Sequence, residues 1–359
     1  MTRICISMIV KDEAHIIRRC LGSVKPYISD WVICDTGSSD GTQDLIRHTM
    51  AGIPGELHEH EWINFGANRD LSLQLALARP GVDYVLIIDA DEVLVVRQPG
   101  VLDTLTEAAY DLPEQDIDLT HWTRRLLSAR LPWRYSGVIH EWIDPGRPYS
   151  AAVLPGVALW TDGEGARSRT GREHAMDLET IERALRDAPD DTRLLFYRAE
   201  TLARLDRDEE ALSAFKERLA LSAEHDSEAW YCTYMIARLY VRLEQFSAAA
   251  VCYLRAYAML PVLAEPIYWL GRLYLAQEKP DAALPLLELA ALKATPTMAM
   301  FMDHKIYKYQ AKWYLAQCLV QLGRHKDARE IIAALAASGD LPSNESGETI
   351  LAALAAVGA

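Results

Sequence analysis

The stretch YVLIIDADE, from Tyr84 to Glu92, decides the fold of the first half of this chain. An apolar run rich in β-branched residues leads directly into acidic residues, and this pattern predicts a buried strand with Asp89 and Asp91 at its carboxyl end. Carboxylate oxygens suit Mg²⁺ or Mn²⁺, and an ion held by one or two of them can bridge the phosphates of a nucleotide. The stretch therefore predicts a metal and phosphate site, with an ordinary acidic turn as the alternative interpretation.

Strand and helix patterns alternate on either side of this stretch through the first hundred residues. Such alternation predicts βαβ units, and hence an α/β domain with a mainly parallel sheet covered by helices on both faces. Ligands of such sheets bind beyond the carboxyl ends of the strands. The predicted strands are Ile4 to Val10, Trp31 to Cys34 and Tyr84 to Ile88, and the predicted helices are His15 to Val24, Thr42 to Met50 and Asn68 to Ala78.

The second half has helical periodicity with a repeat of small residues. Successive units start 38, 34 and 45 residues apart, close to the 34-residue period of tetratricopeptide repeats. We therefore predict an α/β domain over residues 1–176, with a loop-bearing junction over 145–176, and an all-α repeat domain over 177–359, a helical bundle of no particular kind being the alternative. The small residues pair as Ala199 with Ala211, Ala237 with Ala249, Gly271 with Ala283 and Ala316 with Ala328.

Composition restricts the function classes. A net charge of -14 argues against a general nucleic-acid binder or a polybasic membrane-surface protein, leaving only local basic patches such as that around Arg124 and Arg125. The six cysteines form no CxxC pair and have no zinc-ligand spacing, which indicates buried thiols in a reducing compartment. No run has the length of a membrane span or the pattern of a secretory signal. We expect a cytoplasmic protein with no integral membrane segment.

Four further motifs fall where the predicted strands end. The segment SMIVKDE carries Val10 and Glu13 into a helix, and CDTGSSDGT places Asp35 before a flexible loop. The third motif is NRD, in which Arg69 has the forked guanidinium that suits phosphate or base oxygens. The fourth, VIHEW, sets an imidazole beside a carboxylate. Each motif also has a purely structural interpretation. The acids of SMIVKDE can stabilise a helix terminus, and the polar residues of CDTGSSDGT can form a turn. The arginine of NRD can be a solvated surface residue, and the histidine of VIHEW can be buried and hydrogen-bonded.

In this order, the five motifs resemble those of the family-two glycosyltransferases with a GT-A fold, a Rossmann-like α/β fold. The resemblance covers residues 1 to roughly 145, and the repeats that follow resemble a subgroup with a tetratricopeptide domain. It implies that Asp35 and Glu13 hold the nucleoside, that the segment around Val10 lines the nucleotide site, that Arg69 lies near the nucleotide and that Asp89 contacts the ribose side. It also implies a metal ligated by Asp91, with His140 as a candidate ligand. For the general base, Glu141 is the first candidate, followed by Asp144 and Asp162.

The resulting hypothesis is an inverting glycosyltransferase that uses Mn²⁺ or Mg²⁺ and a nucleotide-sugar donor, a UDP-sugar being expected. The acceptor is a hydroxyl or thiol on a peptide, protein or saccharide, and the helical repeats recruit the acceptor or pair two subunits as a homodimer. One rival is a tetratricopeptide scaffold whose transferase-like half binds nucleotide without turnover. Another is a nucleotidyltransferase, which would release pyrophosphate instead of a nucleoside diphosphate.

Overall fold

Two compact units make up the chain, Met1–Ala184 and Leu185–Ala359. The computed structural model describes residues 2–115, 120–161, 173–222, 228–296, 302–340 and 352. The predicted boundary at 176/177 falls in a helix, Glu173–Asp187, that also contains the division between the units. No helix within these described ranges is long and apolar enough to cross a membrane.

The first unit contains a sheet and a small hairpin. Its helices are α1 (Ile17–Val24), α2 (Thr42–Thr49), α3 (Phe65–Leu77) and α4 (Glu173–Asp187), with short 3₁₀ turns at Lys25–Tyr27 and Val101–Asp103. Its strands are β1 (Ile4–Val10), β2 (Asp30–Asp35), β3 (Gly55–Glu59), β4 (Tyr84–Ile87), β5 (Glu92–Val96), β6 (Ala109–Gln115), β7 (Thr120–Ser128), β8 (Arg134–Ser136), β9 (Trp142–Asp144), β10 (Ala151–Val153) and β11 (Val157–Thr161).

The sheet is mixed, which corrects the prediction of a mainly parallel one. Its strand order is β3-β2-β1-β4-β7-β6-β11-β5, with β10 beside β6; the portion from β3 to β4 is parallel, and β6 is parallel to β10 and β11. β7 runs antiparallel to both β4 and β6, and β5 runs antiparallel to β11. The junction over 145–176, predicted to bear loops, also contains the short strands β10 and β11.

Strands β1, β2 and β4 are buried on both faces, as their nearly continuous apolar sequences require, whereas β3 is a more exposed edge strand. Ile4, Ile6 and Met8 of β1 face one apolar core together with α1, whereas Cys5 faces a second core together with Leu73 of α3. This alternation within β1 follows from the two-residue period of a strand. The predicted strands and helices of this region are confirmed, with boundaries that differ by at most three residues.

The second unit contains the four predicted helix pairs. They are α5 (Thr192–Arg204) with α6 (Asp208–Ala220), α7 (Ala229–Arg242) with α8 (Phe246–Met259), α9 (Glu265–Ala276) with α10 (Pro280–Ala291), and α11 (Ala311–Gln321) with α12 (His325–Ser338); a π-helical turn, Ile306–Gln310, precedes α11.

Every small residue of the predicted repeat is buried in this unit. A Cβ added to Gly271 would lie 2.7 Å from Cγ of Leu287, so the helices of that pair approach too closely for a larger residue. The repeat therefore follows from close helix packing.

Candidate functional site

The loops that follow β1 and β2 are tied together at the carboxyl edge of the sheet. The backbone N–H and the hydroxyl of Thr36 both donate to the Val10 carbonyl, at 2.9 and 3.1 Å. Asp35 is fully buried, and its carboxylate accepts hydrogen bonds from the N–H groups of Gly37 and Ser38, both at 2.7 Å, and from Gln43 Nε2 at 3.0 Å. Asp35 thus shapes its own loop.

Side chains of each loop also bind the backbone of the other. Asp12, with a left-handed φ of 56°, donates its N–H to Ser38 Oγ at 2.8 Å, while its carboxylate accepts from Ser39 N at 2.8 Å. The N–H of Glu13 donates to Thr42 Oγ1 at 2.9 Å, and Asp40 accepts from Ala14 N at 2.9 Å. These reciprocal bonds fix the backbone around Val10 and Glu13 against the loop after β2.

Arg69 of α3 joins two predicted site carboxylates. Its Nη2 donates to both oxygens of Asp89, at 3.0 and 2.9 Å, and its Nη1 lies 2.9 Å from Oε1 of Glu141. The Nε of Arg69 is buried and has no hydrogen-bond acceptor among the described residues. Three motifs far apart in the sequence therefore meet at one guanidinium.

A second buried arginine, Arg125 of β7, supports Asp89 from another side. Its guanidinium pairs with Glu92 and, at 3.2 Å, with Glu114, and its Nη1 lies 3.6 Å from Asp89 Oδ2. Glu92 in turn accepts a 2.7 Å hydrogen bond from the backbone N–H of Asp89. Instead of contributing to an exposed basic patch, Arg125 is almost fully buried.

The protonation states follow from this ion-pair network. Burial opposes the charge of Asp89, but Arg69 and Arg125 outweigh burial and hold the pKa of Asp89 below its ordinary value. Burial raises the pKa of Glu92 to about 8 against the attraction of Arg125, and the proximity of Asp89 adds to this increase. Burial also works against the charge of Arg69, yet Asp89 and Glu141 raise its pKa above the ordinary value. At neutral pH, Arg69 and Asp89 therefore form a charged pair.

A backbone-to-backbone contact sets the position of the loop that carries Glu141. A Cβ added to Gly66, in the first turn of α3, would lie 1.8 Å from the carbonyl oxygen of Gly137. One turn further along, Asp70 accepts a 2.9 Å hydrogen bond from the N–H of Tyr135 and pairs with Arg134. Helix α3 thus holds the β8–β9 hairpin at the same end where Arg69 holds Glu141.

The remaining predicted residues are Asp91, His140, Asp144 and Asp162. Asp91 is half-buried in the turn between β4 and β5, and His140 is exposed with a left-handed φ of 47°. Asp144 is exposed at the end of β9, where its carboxylate accepts a hydrogen bond from Gly146 N. Asp162 lies outside the described residues.

The described residues also bear on metal binding. Within them, no three His, Cys, Asp or Glu side chains are grouped so that the protein alone could hold a metal ion. Both oxygens of Asp89 already face Arg69. A metal bound at this turn would take its further ligands from water or from a substrate, as Mg²⁺ commonly does from phosphates.

Sequence reasoning found Arg69, Asp89 and Glu141 but missed the role of Arg125. The sequence does contain a signal for this role, because Arg125 lies in a strand immediately before Leu126 and Leu127, which are both buried. A cation within such a strand indicates a buried carboxylate partner, since an unpaired charge is too costly to bury.

A family model of the tetratricopeptide repeat matches residues 178–225, 234–299 and 305–342. A TPR repeat-containing protein of Synechococcus elongatus is 26% identical over 212 residues, which cover 54% of this chain and 51% of that protein. The SPbeta prophage-derived glycosyltransferase SunS of Bacillus subtilis (strain 168) is 25% identical over 237 residues, covering 60% of this chain and 53% of that protein.

The chain thus spans about half the length of the curated relatives it matches. Among solved structures, a crystal structure of MamA has a TM-score of 0.39 and 16% identity, and covers 47% of this chain and 90% of its own. The helical unit consists of tetratricopeptide-like repeats, and the chain has a distant similarity to a glycosyltransferase.

Proposed function

We propose that this chain is a glycosyltransferase that moves a sugar from a nucleoside diphosphate to a hydroxyl or thiol of a peptide, protein or saccharide. UDP is the expected nucleotide, and a GT-A fold is the proposed class of the first unit. The observation that carries the proposal is the fork of Arg69, which joins Asp89 of the acidic turn to Glu141. The similarity to the glycosyltransferase SunS supports the same reaction class.

The proposed donor site lies at the carboxyl ends of β1, β2 and β4. Val10 and Glu13 contribute the fixed loop beside the nucleoside, and Asp35, which also holds its own loop in place, is proposed to contact the nucleoside with Glu13. Negative charge develops on the departing diphosphate during sugar transfer, and a preorganised cation stabilises that charge. Arg69 suits this task because it stays charged and its buried Nε has no acceptor among the described residues.

Glu141 is the proposed general base. Its Oε1 is fixed by Arg69 at 2.9 Å, while the described residues provide no hydrogen-bond partner for its other oxygen. A base must lie within hydrogen-bond reach of the acceptor proton, and one anchored oxygen leaves the second to receive it. Asp144 and Asp162 are the remaining candidates for this role.

A divalent ion is the proposed cofactor. Asp91, half-buried beyond β4, is its proposed protein ligand, together with diphosphate oxygens of the donor, and His140 is a further candidate ligand. The donor set fits Mg²⁺ or Mn²⁺, which bind one or two carboxylates together with substrate phosphates. When bound, such an ion supplies positive charge to the leaving diphosphate.

A thermal-shift panel tests the proposal. UDP, GDP, CDP and ADP are added with Mn²⁺ or with EDTA to the wild type, to Asp91→Ala and to Glu179→Ala, a control that removes an exposed acid of α4. A ligand at 100 times its dissociation constant stabilises the native state by about 2.7 kcal/mol, so we expect a shift of about 5 °C or more. We expect the shift to require Mn²⁺, to persist in Glu179→Ala and to disappear in Asp91→Ala.

Transfer is then measured with the matching nucleotide sugar and candidate acceptors. Glu141→Gln is expected to retain the nucleotide shift and lose transfer. The absence of a shift with any nucleotide would favour the rival hypothesis of a tetratricopeptide scaffold without turnover. Release of pyrophosphate instead of a nucleoside diphosphate would identify a nucleotidyltransferase.

A further inference from the structure

Two tryptophans in the mixed part of the sheet are exposed. Trp122 of β7 has 55% of its surface exposed and Trp160 of β11 has 42%. Buried tryptophans of the same unit behave differently, since Trp31 and Trp133 pack in apolar cores and donate their indole N–H groups to backbone carbonyls, at 3.0 and 2.9 Å. Neither Trp122 nor Trp160 has such a bond or a ring contact with the described residues. Packing within the unit therefore does not explain these two side chains.

Strand register places both indole rings on one face of the sheet. In the pairing of β7 with β6, Trp122 lies opposite Pro113, and in the pairing of β11 with β6, Trp160 lies opposite Gln115. The two tryptophans thus lie opposite positions two residues apart on one strand, so the two-residue period of a strand gives them the same face. Two strand spacings across the sheet and two residues along it put their Cα atoms roughly 12 Å apart.

The hairpin that follows Trp133 and leads to Glu141 lies on this same face. Arg124, two residues after Trp122 in β7, hydrogen-bonds the hydroxyl of Tyr149. The Tyr149 ring packs edge-on against Trp133, with 4.8 Å between the ring centres, and Trp133 immediately precedes β8. The tryptophan pair and the proposed general base are therefore on one side of the sheet.

Both tryptophans also lie near the edge of the sheet that bears the acidic turn. Trp160 immediately precedes the residue that pairs with Glu92 of β5, and the Glu92 carboxylate accepts the hydrogen bond of the Asp89 N–H. Trp122 lies three residues before Arg125, whose Nη1 is 3.6 Å from the Asp89 carboxylate. The rings are thus neighbours of the residues that position Asp89.

We propose that Trp122 and Trp160 form an acceptor subsite for a saccharide, in which each indole packs against the C–H face of one sugar ring. An aromatic ring covers this apolar face while the sugar hydroxyls stay in water or bind polar neighbours. The separation of the two rings suits a chain of sugar units. A saccharide is favoured over an apolar protein partner because the rings stand apart, with the ion pair of Arg124 and Asp111 beside one of them.

The role of acceptor subsite rests on the proposed transferase function, whereas saccharide binding can be measured without transfer. Saturation-transfer difference NMR of the full chain uses cellopentaose, maltopentaose and chitopentaose as probes. We expect at least one of them to bind, with the strongest saturation at its ring C–H protons. Trp122→Ala and Trp160→Ala are each expected to raise the dissociation constant about tenfold, because an aromatic contact is lost. Trp160→Phe keeps a ring and is expected to recover most of the affinity.

Tyr27→Ala is the matched control. It removes an exposed aromatic ring shortly before β2, at the opposite edge of the sheet. Binding in this variant is expected to stay within about twofold of the wild type, as for other surface substitutions. The subsite would be ruled out if none of the three oligosaccharides bound, if Tyr27→Ala weakened binding as much as the tryptophan variants, or if a decapeptide of alternating Ser and Ala bound more tightly than the oligosaccharides.

The nucleotide thermal shift separates failure of this proposal from failure of the proposed function. Trp122→Ala and Trp160→Ala are both expected to keep the wild-type shift, because the rings contact the acceptor and not the nucleotide. A nucleotide shift combined with oligosaccharide binding that neither variant weakens would overturn the subsite alone. Oligosaccharide binding that both variants weaken, without a shift for any nucleotide in the wild type, would overturn the transferase function and the acceptor role while leaving a saccharide site.

Discussion

At the residue scale, the contact between Gly66 and the Gly137 carbonyl is the most restrictive in the site. Gly66→Ala would place a methyl group 1.8 Å from that oxygen, so the backbone must shift. We expect the free energy of unfolding of the first unit to fall by about 2–3 kcal/mol, measured by denaturant titration.

Gly22→Ala is the control for this change. Gly22 lies in α1 with open space around the added Cβ, so alanine is expected to stabilise the helix by about 0.5–1 kcal/mol. A Gly66→Ala variant as stable as the wild type would show that the loop after β8 moves without cost, contrary to the packing described.

Individual residues also differ in how far sequence could predict them. Asp89 was predictable because a buried strand ends at it, and Arg69 because it opens a helix beside that edge. Their ion pair was not predictable, since a motif gives a side chain's type but not its distance from another motif. The burial of Arg125 was missed for a related reason, because its carboxylate partners Glu92 and Glu114 lie on other strands.

At the element scale, the four turns within the helix pairs share one backbone conformation. Asp206, Glu244, Glu278 and Gly323 each have a left-handed φ, between 56° and 73°. Such a conformation costs a residue with a Cβ about 1 kcal/mol and costs glycine nothing. We expect Gly323→Ala to lower the free energy of unfolding by about 1 kcal/mol and Glu244→Gly not to lower it, both measured by chemical denaturation.

The control is a glutamate within a helix. Glu330→Gly changes an exposed position in α12, where the same replacement is expected to cost about 1 kcal/mol. If Glu244→Gly were as destabilising as Glu330→Gly, the left-handed turn would not explain these positions. The repeat of small residues predicted the helix pairs. The left-handed turns were not predicted, because glycine is the usual signal for this conformation and three of the four positions carry acidic residues.

At the scale of the whole molecule, the reactivity of the cysteines can be used to follow the unfolding of both units. Cys5, Cys20 and Cys34 lie in the first unit, and Cys232, Cys252 and Cys318 lie in the second. All are free thiols, and only Cys252 is not fully buried. Burial raises the pKa of Cys34 to about 11, which further slows its reaction.

We therefore expect a colorimetric thiol titration of the native protein to detect about one reactive thiol, and that of the unfolded protein to detect six. Cys252→Ser should abolish the native signal. Rapid native reaction of two or more thiols would contradict the burial described. Mass mapping of the labelled thiols during denaturation would then show in which order the two units unfold.

The division into an α/β unit and a helical unit was predictable from periodicity alone, because the hydrophobic pattern changes from strand–helix alternation to continuous helix. The outer, mixed portion of the sheet was not, since β5 to β11 include short strands that pair with distant partners. β7 pairs antiparallel with β4. The sequence between these strands contains no pattern that indicates in which direction β7 runs.

The main-chain contact at Gly66 has a further consequence for how this protein can diversify. Because two backbones touch there with no side chain between them, main-chain atoms set the closest approach of α3 to the loop after β8. Side chains near the contact can therefore change, by selection or by engineering, without altering this closest approach of the two backbones.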